Sequence, residues 1–272
     1  MNNPKISVVM PNYNCARFLR ESIEGVLTQT FIDFEFIIVD DGSTDNSWEI
    51  ISKQAKKDKR ILAIRNENNQ RICKTLNKGI GIANGEYIAR MDSDDVANPN
   101  WLETVLDFME RAENEKVGVC GANFFLIDEA GKKIGEKKFP ESDLSCRESF
   151  WFRNPFGHNT VLIRKKCFSD FGYYDENFIY AEDLELWMRF GQKYKFYNIQ
   201  EDLVNYRISG GNSVLKNQRA MIINTLKARD KATKEYGYVI NLKGHIFFWG
   251  TWMMQWLPVK FVFWIFNLLK KK

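Results

Sequence analysis

The sequence predicts an α/β domain built on a mainly parallel sheet with helices on both faces. Three observations lead to this fold class. Short runs of β-branched and aromatic residues alternate with segments whose apolar residues recur at helical spacing. The connections between these segments are short, and strands joined through helices in this way pair in parallel. Polar turns rich in aspartate and asparagine follow the strands, at the sheet edge where folds of this class bind ligands.

The first half of the chain contains four predicted strands, each a short apolar run that ends in a polar turn. These strands are expected at Ile6–Met10, Phe34–Val39, Ile61–Ile64 and Tyr87–Met91. The helices that follow them are expected at Ala16–Gln29, Thr44–Lys57, Arg71–Ala83 and from Pro99 to about Arg111. Thr44 or Ser43 is the expected N-cap of the second helix. Asn98 is the expected cap of the fourth, with Pro99 at its first position.

The second half is less regular, and its pattern predicts a continuation of the same domain. A strand followed by a hairpin around Gly131 is expected within Val117–Lys138, another strand at Thr160–Arg164 and a helix at Ala181–Gln192. The sequence has neither an internal repeat nor a low-complexity linker. We therefore expect one catalytic domain over residues 1–238, followed by a different kind of segment over residues 239–272.

Composition and charge exclude several classes of protein. The net charge of +4 is too small, and too evenly distributed, to indicate a nucleic-acid partner. The five cysteines are odd in number and lack any CxxC pair, which indicates reduced thiols rather than a disulfide frame or a zinc site. Residues 1–14 lack the apolar stretch of a signal peptide, so we expect the catalytic part to remain in the cytoplasm.

The C-terminal segment has the composition of a membrane-associating helix. Between Ile246 and Leu269 the only charged residue is Lys260, and three lysines follow at 270–272. Four of the chain's eight tryptophans lie there, namely Trp249, Trp252, Trp256 and Trp264. Because Pro258 and Lys260 interrupt its middle, we expect it to lie on the cytoplasmic face of the inner membrane. The alternatives are a segment that spans the bilayer and a helix packed on the domain.

The chemistry of the chain is expected where acidic residues follow the strands. Asp40 and Asp41 end the second strand, and Asp92-Ser93-Asp94-Asp95 follows the fourth. Carboxylates crowded at one edge repel one another unless a cation compensates, and oxygen ligands select Mg²⁺ or Mn²⁺. The sequence contains neither a GxxxxGK[ST] loop nor a GxGxxG motif. A diphosphate at this edge is therefore expected to be held through the metal.

Four ordered segments resemble the motifs of glycosyltransferase family 2, whose members are inverting enzymes with the GT-A fold. These segments are ISVVMPNYN, FIIVDDGSTDNS, ANGEYIARMDSDD and YAEDLELWMRFG, and the resemblance covers about residues 5–208. It implies a nucleotide-diphosphate sugar donor, with uridine diphosphate as the default nucleotide. It also implies a hydroxyl acceptor on a glycan or lipid-linked glycan, as in bacterial surface-polysaccharide enzymes.

The resemblance also implies roles for particular residues. The donor site is expected to contain Pro11, Tyr13 and Asn14 around the nucleotide, Asp40 and Asp41 at the nucleobase, Arg71 near the nucleobase and phosphates, and Asp92 and Ser93. Asp94 matches the direct metal ligand, with Asp92 near ribose and metal, and Asp183 matches the general base. The chain departs from many relatives after Tyr206-Arg207, where it lacks a histidine. This departure questions a third protein ligand to the metal and leaves Arg207 as a group that could approach the diphosphate.

Each of these residues also has a purely structural explanation. Asp40 or Asp41 could cap the following helix, and Asp95 fits a turn better than a metal ligand. Asp183 could be an ordinary acid in the first turn of its helix, and Arg71 a solvated helix residue. His158 fits a structural role as well as a contact to acceptor or phosphate.

The expected reaction is a single displacement with inversion at the sugar. The metal stabilises the leaving diphosphate, and Asp183 removes the proton of the acceptor hydroxyl. Two alternatives remain, a nucleotidyltransferase and a non-catalytic nucleotide-sugar-binding protein of the same fold.

Overall fold

The computed structural model describes residues 3–209 and 217–254. Its strands are β1 Ile6–Asn12, β2 Phe34–Asp40, β3 Ile61–Arg65, β4 Tyr87–Arg90, β5 Val96–Ala97, β6 Val117–Ile127, β7 Lys133–Lys137, β8 Leu162–Arg164 and β9 Lys195–Arg207. Its helices are α1 Ala16–Leu27, α2 Ser47–Ala55, α3 Arg71–Ile82, α4 Trp101–Glu110, α5 Asp143–Ser149, α6 Lys165–Phe171, α7 Glu182–Phe190, α8 Gln218–Glu235 and α9 Leu242–Met254.

One sheet runs through both halves of the chain, in the order β3-β2-β1-β4-β8-β6-β9-β5, with β7 beside β6. The pairs among β1, β2, β3 and β4 are parallel, as expected. Beyond β4 the sheet becomes mixed, because β8 pairs antiparallel with both β4 and β6, whereas β6 and β9 pair in parallel. The sheet is therefore entirely parallel in its first half and mixed in its second, where the long β6–β9 pair is parallel.

The apolar runs of the central strands are long because both faces of the sheet are covered. Ile6, Val8 and Met10 of β1 belong to one buried cluster, which includes residues of α1 and α4. Val9 of the same strand belongs to the second cluster, which contains residues of α3, α6 and α7. Two-sided burial of this kind removes the alternation of polar and apolar residues that a half-exposed strand would show.

Two predicted helix starts are wrong, and in both cases a tertiary contact holds the predicted cap outside the helix. The second helix begins at Ser47 rather than Thr44, because the backbone N–H of Thr44 donates to the Asn14 side chain at 2.8 Å. The fourth begins at Trp101 rather than Pro99. The Asn98 amide, predicted to cap that helix, donates instead to the backbone carbonyl of Asp202 at 2.6 Å.

The last two described helices pack on the catalytic domain. Gly244 of α9 is buried beside Trp151, the ring of Phe247 lies 5.4 Å from that of Phe152, and Phe248 packs against α8. The other side of α9 is apolar and exposed, and this outer stripe consists of Leu242, Ile246, Trp249 and Met253. No helix within the described residues has the length and apolar character needed to cross a bilayer. Trp256, Trp264 and the terminal lysines lie outside the described residues.

Candidate functional site

A cavity of about 1010 Å³ opens at the edge of the sheet where β1 and β4 end. Several predicted donor-site residues line it, namely Tyr13, Asn14, Arg71, Asp92, Ser93 and Asp94. Its far wall is formed by Glu182 at the start of α7 and by Asn217 and Ala220 at the start of α8. The fold thus brings residues from both halves of the chain to one opening.

Asp40 and Asp41 are buried outside the lining of the cavity, and neither caps α2, the helix that follows them. Asp40 accepts hydrogen bonds from Asn12 at 2.8 Å and from the Ser43 hydroxyl at 2.5 Å. Asp41 accepts hydrogen bonds from the Asn66 side chain and from the backbone N–H of Arg71. These contacts hold the loops after β2 and β3 in place. Both carboxylates therefore position neighbouring residues of the cavity wall, such as Arg71, without lining the cavity themselves.

The backbone around the cavity is strained at three non-glycine residues. Asn14, Arg71 and Ala181 have positive φ angles of 51°, 70° and 60°. Asn14 and Arg71 line the cavity, and Ala181 lies between two residues that do. Residues in this conformation cost free energy and concentrate at functional sites. Their clustering marks this cavity as the candidate active site.

The aspartates after β4 form a group that could hold a metal ion. One carboxylate oxygen from each of Asp92, Asp94 and Asp95 lies within 4.8 Å of the others. Burial, with the charge of Asp92 added, raises the pKa of Asp94 to about 6. No side chain among the described residues donates a hydrogen bond to the Asp94 carboxylate. An oxygen donor set of this kind fits Mg²⁺ or Mn²⁺, because a hard divalent cation relieves the repulsion.

Asp95 has a structural role in holding this group. Its carboxylate accepts hydrogen bonds from the backbone N–H of Arg207 at 2.7 Å and from the Asn159 side chain. Asp95 is fully buried, and burial raises its pKa well above the usual range. Asp95 thereby ties the turn at residues 92–95, which we call the aspartate turn, to β9. It also ties this turn to the short 3-10 helix His158–Thr160 before β8.

Arg207 is buried against the backbone of the aspartate turn and does not line the cavity. This position corrects the expectation that Arg207 could approach a diphosphate. Its side chain is 1% exposed and stacks on Phe18. The guanidinium donates to the backbone carbonyl of Asp94 at 2.9 Å and to the Glu21 carboxylate at 2.6 Å. The positive charge of Arg207 therefore holds the backbone of the turn in place.

Arg90 is a residue of the site that sequence reasoning missed. It lines the cavity, is almost fully buried and donates from Nη1 to the Asp92 carboxylate. Its Nε has no hydrogen-bond partner in the described part of the chain. The signal was present in the sequence, because Arg90 is a charged residue within an otherwise apolar strand. Burial raises the pKa values of Asp94 and Asp183, and the positive charge of Arg90 partly opposes that rise.

Glu182 and Asp183 begin α7 at the opposite wall of the cavity. Burial, with the charge of Asp183 added, raises the pKa of Glu182 to about 8. Asp183 lies behind Glu182, and burial raises its pKa too. Its Oδ2 accepts a hydrogen bond from Asn154 at 2.6 Å, and its Oδ1 accepts one from the Leu184 backbone at 2.7 Å. Because the two carboxyls are adjacent and buried, ionisation of either one disfavours ionisation of the other.

His158 lies beside Asp183 and is mostly buried. Its Nε2 lies 2.7 Å from the Tyr174 hydroxyl, and its Nδ1 lies 3.9 Å from Oδ2 of Asp183. Burial, with the charge of Arg90 added, lowers the pKa of His158 well below its usual value, so the ring is neutral. Trp187 is fully buried beside it.

The five cysteines are free thiols, as expected. Cys15 lines the cavity, and burial raises its pKa to about 12. A thiol in this state is a poor nucleophile at neutral pH.

Comparison with known proteins identifies the family to which this fold and site belong. A sequence model described as Glycosyl transferase family 2 matches residues 7–183. The chain belongs to this family and is a glycosyltransferase. It is 34% identical to an uncharacterised glycosyltransferase of Methanocaldococcus jannaschii, over 92% of this chain and 85% of that one. It is also 34% identical to the putative glycosyltransferase EpsE of Bacillus subtilis, over 76% and 74% of the two chains.

Solved structures confirm the GT-A expectation for the fold. S. aureus TarS, residues 1–349 in complex with UDP, superimposes with a TM-score of 0.63 over 85% of this chain and 70% of its own, at 22% identity. The mannosyltransferase PcManGT of Pyrobaculum calidifontis, in complex with GDP-Man and Mn²⁺, gives a TM-score of 0.64 at 12% identity. That alignment covers 100% of this chain and 82% of the neighbour.

Proposed function

We propose that this glycosyltransferase moves a sugar from a nucleotide-diphosphate sugar to an acceptor hydroxyl, with inversion. One observation carries the proposal. The aspartate turn and Glu182, the neighbour of Asp183 at the start of α7, line a single cavity, which is large enough for a nucleotide sugar. An inverting transfer needs this arrangement, because leaving group and base act on opposite sides of the sugar.

The donor side of the cavity fits a diphosphate bound through a cation. Asp94, with Asp92 beside it, would hold Mn²⁺ or Mg²⁺, and the cation would supply the positive charge that the departing diphosphate needs. Tyr13 offers a half-exposed ring for the nucleobase, and Arg71 adds a guanidinium at the same wall. TarS complexes contain UDP and UDP-GlcNAc, which supports a uridine diphosphate sugar as the donor here.

The acids at the start of α7 have different roles in this proposal. Asp183 accepts the proton of the acceptor hydroxyl as the hydroxyl attacks the anomeric carbon. Glu182, with a pKa of about 8, remains protonated near neutral pH and donates a hydrogen bond to the acceptor. In this proposal the two neighbouring carboxyls provide a base and a hydrogen-bond donor in one place.

A transfer assay with product analysis tests the reaction. The purified protein, with Mn²⁺, a panel of nucleotide sugars and a water-soluble acceptor analogue, should yield a product with an inverted anomeric centre by NMR. A retained centre would overturn the mechanism. A non-catalytic binder would bind a donor without the slow Mn²⁺-dependent hydrolysis that an enzyme shows. A nucleotidyltransferase would instead release pyrophosphate from a nucleoside triphosphate and a sugar phosphate.

We further propose that the enzyme works on the cytoplasmic face of a membrane, on a lipid-linked glycan acceptor for surface-polysaccharide synthesis. The outer stripe of α9 supports this proposal, since Ile246 is 65% exposed and Trp249 is 56% exposed. Tryptophan favours the boundary between headgroups and hydrocarbon, and the lysines at 270–272 favour anionic lipid. Helix α8 links the cavity to the outer stripe of α9, because its start lines the cavity and its middle packs on α9.

A further inference from the structure

We propose that Asn154 is a positioning residue for Asp183, acting through the hydrogen bond that it donates to the carboxylate. The inference rests on the proposed function, in which Asp183 is the base. Asn154 lies in the segment between α5 and β8, and no family motif quoted above includes it. It contacts neither the aspartate turn nor the donor wall of the cavity.

The hydrogen bonds of Asn154 leave one orientation for its side-chain amide. The Oδ1 atom accepts a hydrogen bond from the backbone N–H of Phe156 at 3.2 Å, so the oxygen must face that way. The Nδ2 atom then faces Oδ2 of Asp183 at 2.6 Å. Because the Leu184 N–H holds the other carboxylate oxygen, the plane of the Asp183 carboxylate is fixed from two directions.

His158 adds a second polar group on the same side of Asp183. The Tyr174 hydroxyl has only His158 as a hydrogen-bond partner in the described part of the chain, so the hydroxyl donates to Nε2. The proton of the neutral ring is then on Nδ1, which faces Oδ2 of Asp183 at 3.9 Å. This separation is too long for a hydrogen bond, so Asn154 supplies the direct contact and His158 a weaker dipole.

The position of Asn154 does not depend on its own hydrogen bond. Two residues further along, the ring of Phe156 packs edge-on against Trp187, with ring centroids 5.4 Å apart. Trp187 belongs to α7, the helix that carries Asp183. On the other side, Arg229 of α8 donates to the backbone carbonyl of Phe150 at 2.9 Å. A variant that loses only the amide should therefore fold normally and keep its backbone in place.

The chemical consequence concerns the protonation of the base. A hydrogen bond donated to a carboxylate favours the ionised form and lowers its pKa. Loss of the Asn154 amide should therefore raise the pKa of Asp183. The other titratable or charged groups that face Asp183 are Glu182 on α7, Arg90 on β4, Cys73 on α3, Tyr174 and His158. All of them remain in a variant of Asn154.

The test is the pH profile of kcat in the full-length chain. Asn154→Leu keeps the shape of the side chain and removes both the donor to Asp183 and the acceptor of the Phe156 N–H. We expect the acid limb of kcat to move up by roughly one pH unit, because the base works only when ionised. The donor KM should stay within about two-fold, since the donor wall is untouched. Asn154→Ser retains a hydroxyl that can donate, and should move the limb by less than the leucine variant.

The matched control is Asn114→Leu. Asn114 donates one side-chain hydrogen bond to a backbone carbonyl, that of Phe108, outside the cavity lining. Its loss should leave the acid limb in place. An equal fall in kcat at every pH for Asn154→Leu, with the limb unmoved, would overturn the positioning role. If the leucine variant fails to fold, ¹³C NMR titration of the aspartate carboxyls in the serine variant decides the question. An Asp183 pKa equal to that of wild type would then overturn it.

Asp183→Asn, measured in the same assay, separates the inference from the proposed function. Loss of transfer in this variant, together with an unmoved limb in Asn154→Leu, refutes only the positioning role. Normal transfer by Asp183→Asn would remove the base assignment and the positioning role with it.

Discussion

The two walls of the cavity are built in different ways. The donor wall, the side of the cavity where we propose the nucleotide sugar binds, comes from the turns directly after β1 and β4 and from the start of α3. Side chains in register hold these turns together, as when Asn12 and Asp40 pair across β1 and β2 and also share a hydrogen bond. The opposite wall, where we propose the acceptor binds, joins the starts of α7 and α8, and the segment that contains Asn154 supports Asp183 from outside the lining.

This difference indicates which parts of the enzyme can change independently. The parallel strands fix the donor wall, so a change there would disturb several buried hydrogen bonds at once. The acceptor wall depends on packing between distant segments. Glu185 of α7 is fully buried and paired with Lys231 of α8 at 3.2 Å. Helix α8 thus contacts α7, the helix of the proposed base, directly, and we expect changes in α8 to alter which acceptor is used.

The largest expected effects come from one substitution in each wall, of the proposed metal ligand Asp94 and of the proposed base Asp183. Asp94→Asn should abolish Mn²⁺-dependent donor binding and lower turnover by about 10²–10³-fold, because a neutral amide is a poorer ligand and several kcal/mol of leaving-group stabilisation are lost. Asp183→Asn should keep donor affinity within a few-fold yet lower transfer by about 10²–10⁴-fold. Calorimetric titration with donor and Mn²⁺, beside the transfer assay, measures both quantities.

Two other outcomes would contradict the assignment of metal binding to one wall and proton transfer to the other. Near-normal activity of Asp94→Asn with the same metal dependence would remove the metal site from the aspartate turn. A collapse of donor affinity in Asp183→Asn would assign Asp183 to the donor site and leave the base elsewhere. Circular dichroism of both variants checks that the fold is intact.

The difference between the two walls also explains which parts of the structure could be predicted from the sequence. The four parallel strands and the turn from Asp92 to Asp95 were predicted because contiguous residues carry each signal. Asn154 had no such signal, since it is 29 residues from Asp183 and only the folded chain brings them together. The resemblance left Arg207 as a group that could approach the diphosphate, and only the structure shows that it is buried against the backbone of Asp94.

The misplaced helix starts have the same origin. Local rules for caps identified residues of the right type at Thr44 and Asn98. In the structure, Asn14 and Asp202 bind these residues from elsewhere in the chain. Such contacts depend on sheet register, which a single sequence does not contain. The predicted division at residue 238 falls in the connection between α8 and α9, and it stays a prediction.

A smaller effect should appear when the support of the aspartate turn is removed. Arg207→Met leaves backbone carbonyls without their donor, including that of Asp94. We expect a loss of about 2–3 kcal/mol in the free energy of unfolding, together with weaker Mn²⁺ binding. Arg17 is a matched control, because it also stacks on Phe18 and pairs with a glutamate but is 66% exposed. Arg17→Met should cost less than about 1 kcal/mol.

Urea denaturation with and without Mn²⁺ measures the free energy of unfolding of Arg207→Met and Arg17→Met. Equal losses of stability in the two variants would show that burial of Arg207 contributes nothing. Unchanged Mn²⁺ affinity in a destabilised Arg207→Met would separate the fold of the turn from its metal site.

The smallest expected effect concerns α9, whose outer stripe we propose to lie on a membrane. Point substitutions are sharper than truncation here, because removing the helix would uncover Trp151 and Phe152. Ile246→Ser should weaken binding to anionic vesicles several-fold, about 1 kcal/mol, because an isoleucine no longer enters the interface. Ile134→Ser on β7 makes the same change at a residue of similar exposure, 53% against 65%.

Vesicle sedimentation and thermal melting of both variants distinguish the possible environments of the stripe. A membrane-facing stripe predicts that only Ile246→Ser loses vesicle binding. It also predicts unchanged melting, and unchanged turnover of a water-soluble acceptor. If residues 255–272 fold back over the stripe, Ile246 is part of a core, and its replacement should lower the melting temperature by several degrees. That result would remove the membrane proposal, because an apolar stripe that is already covered has no surface left to offer a lipid.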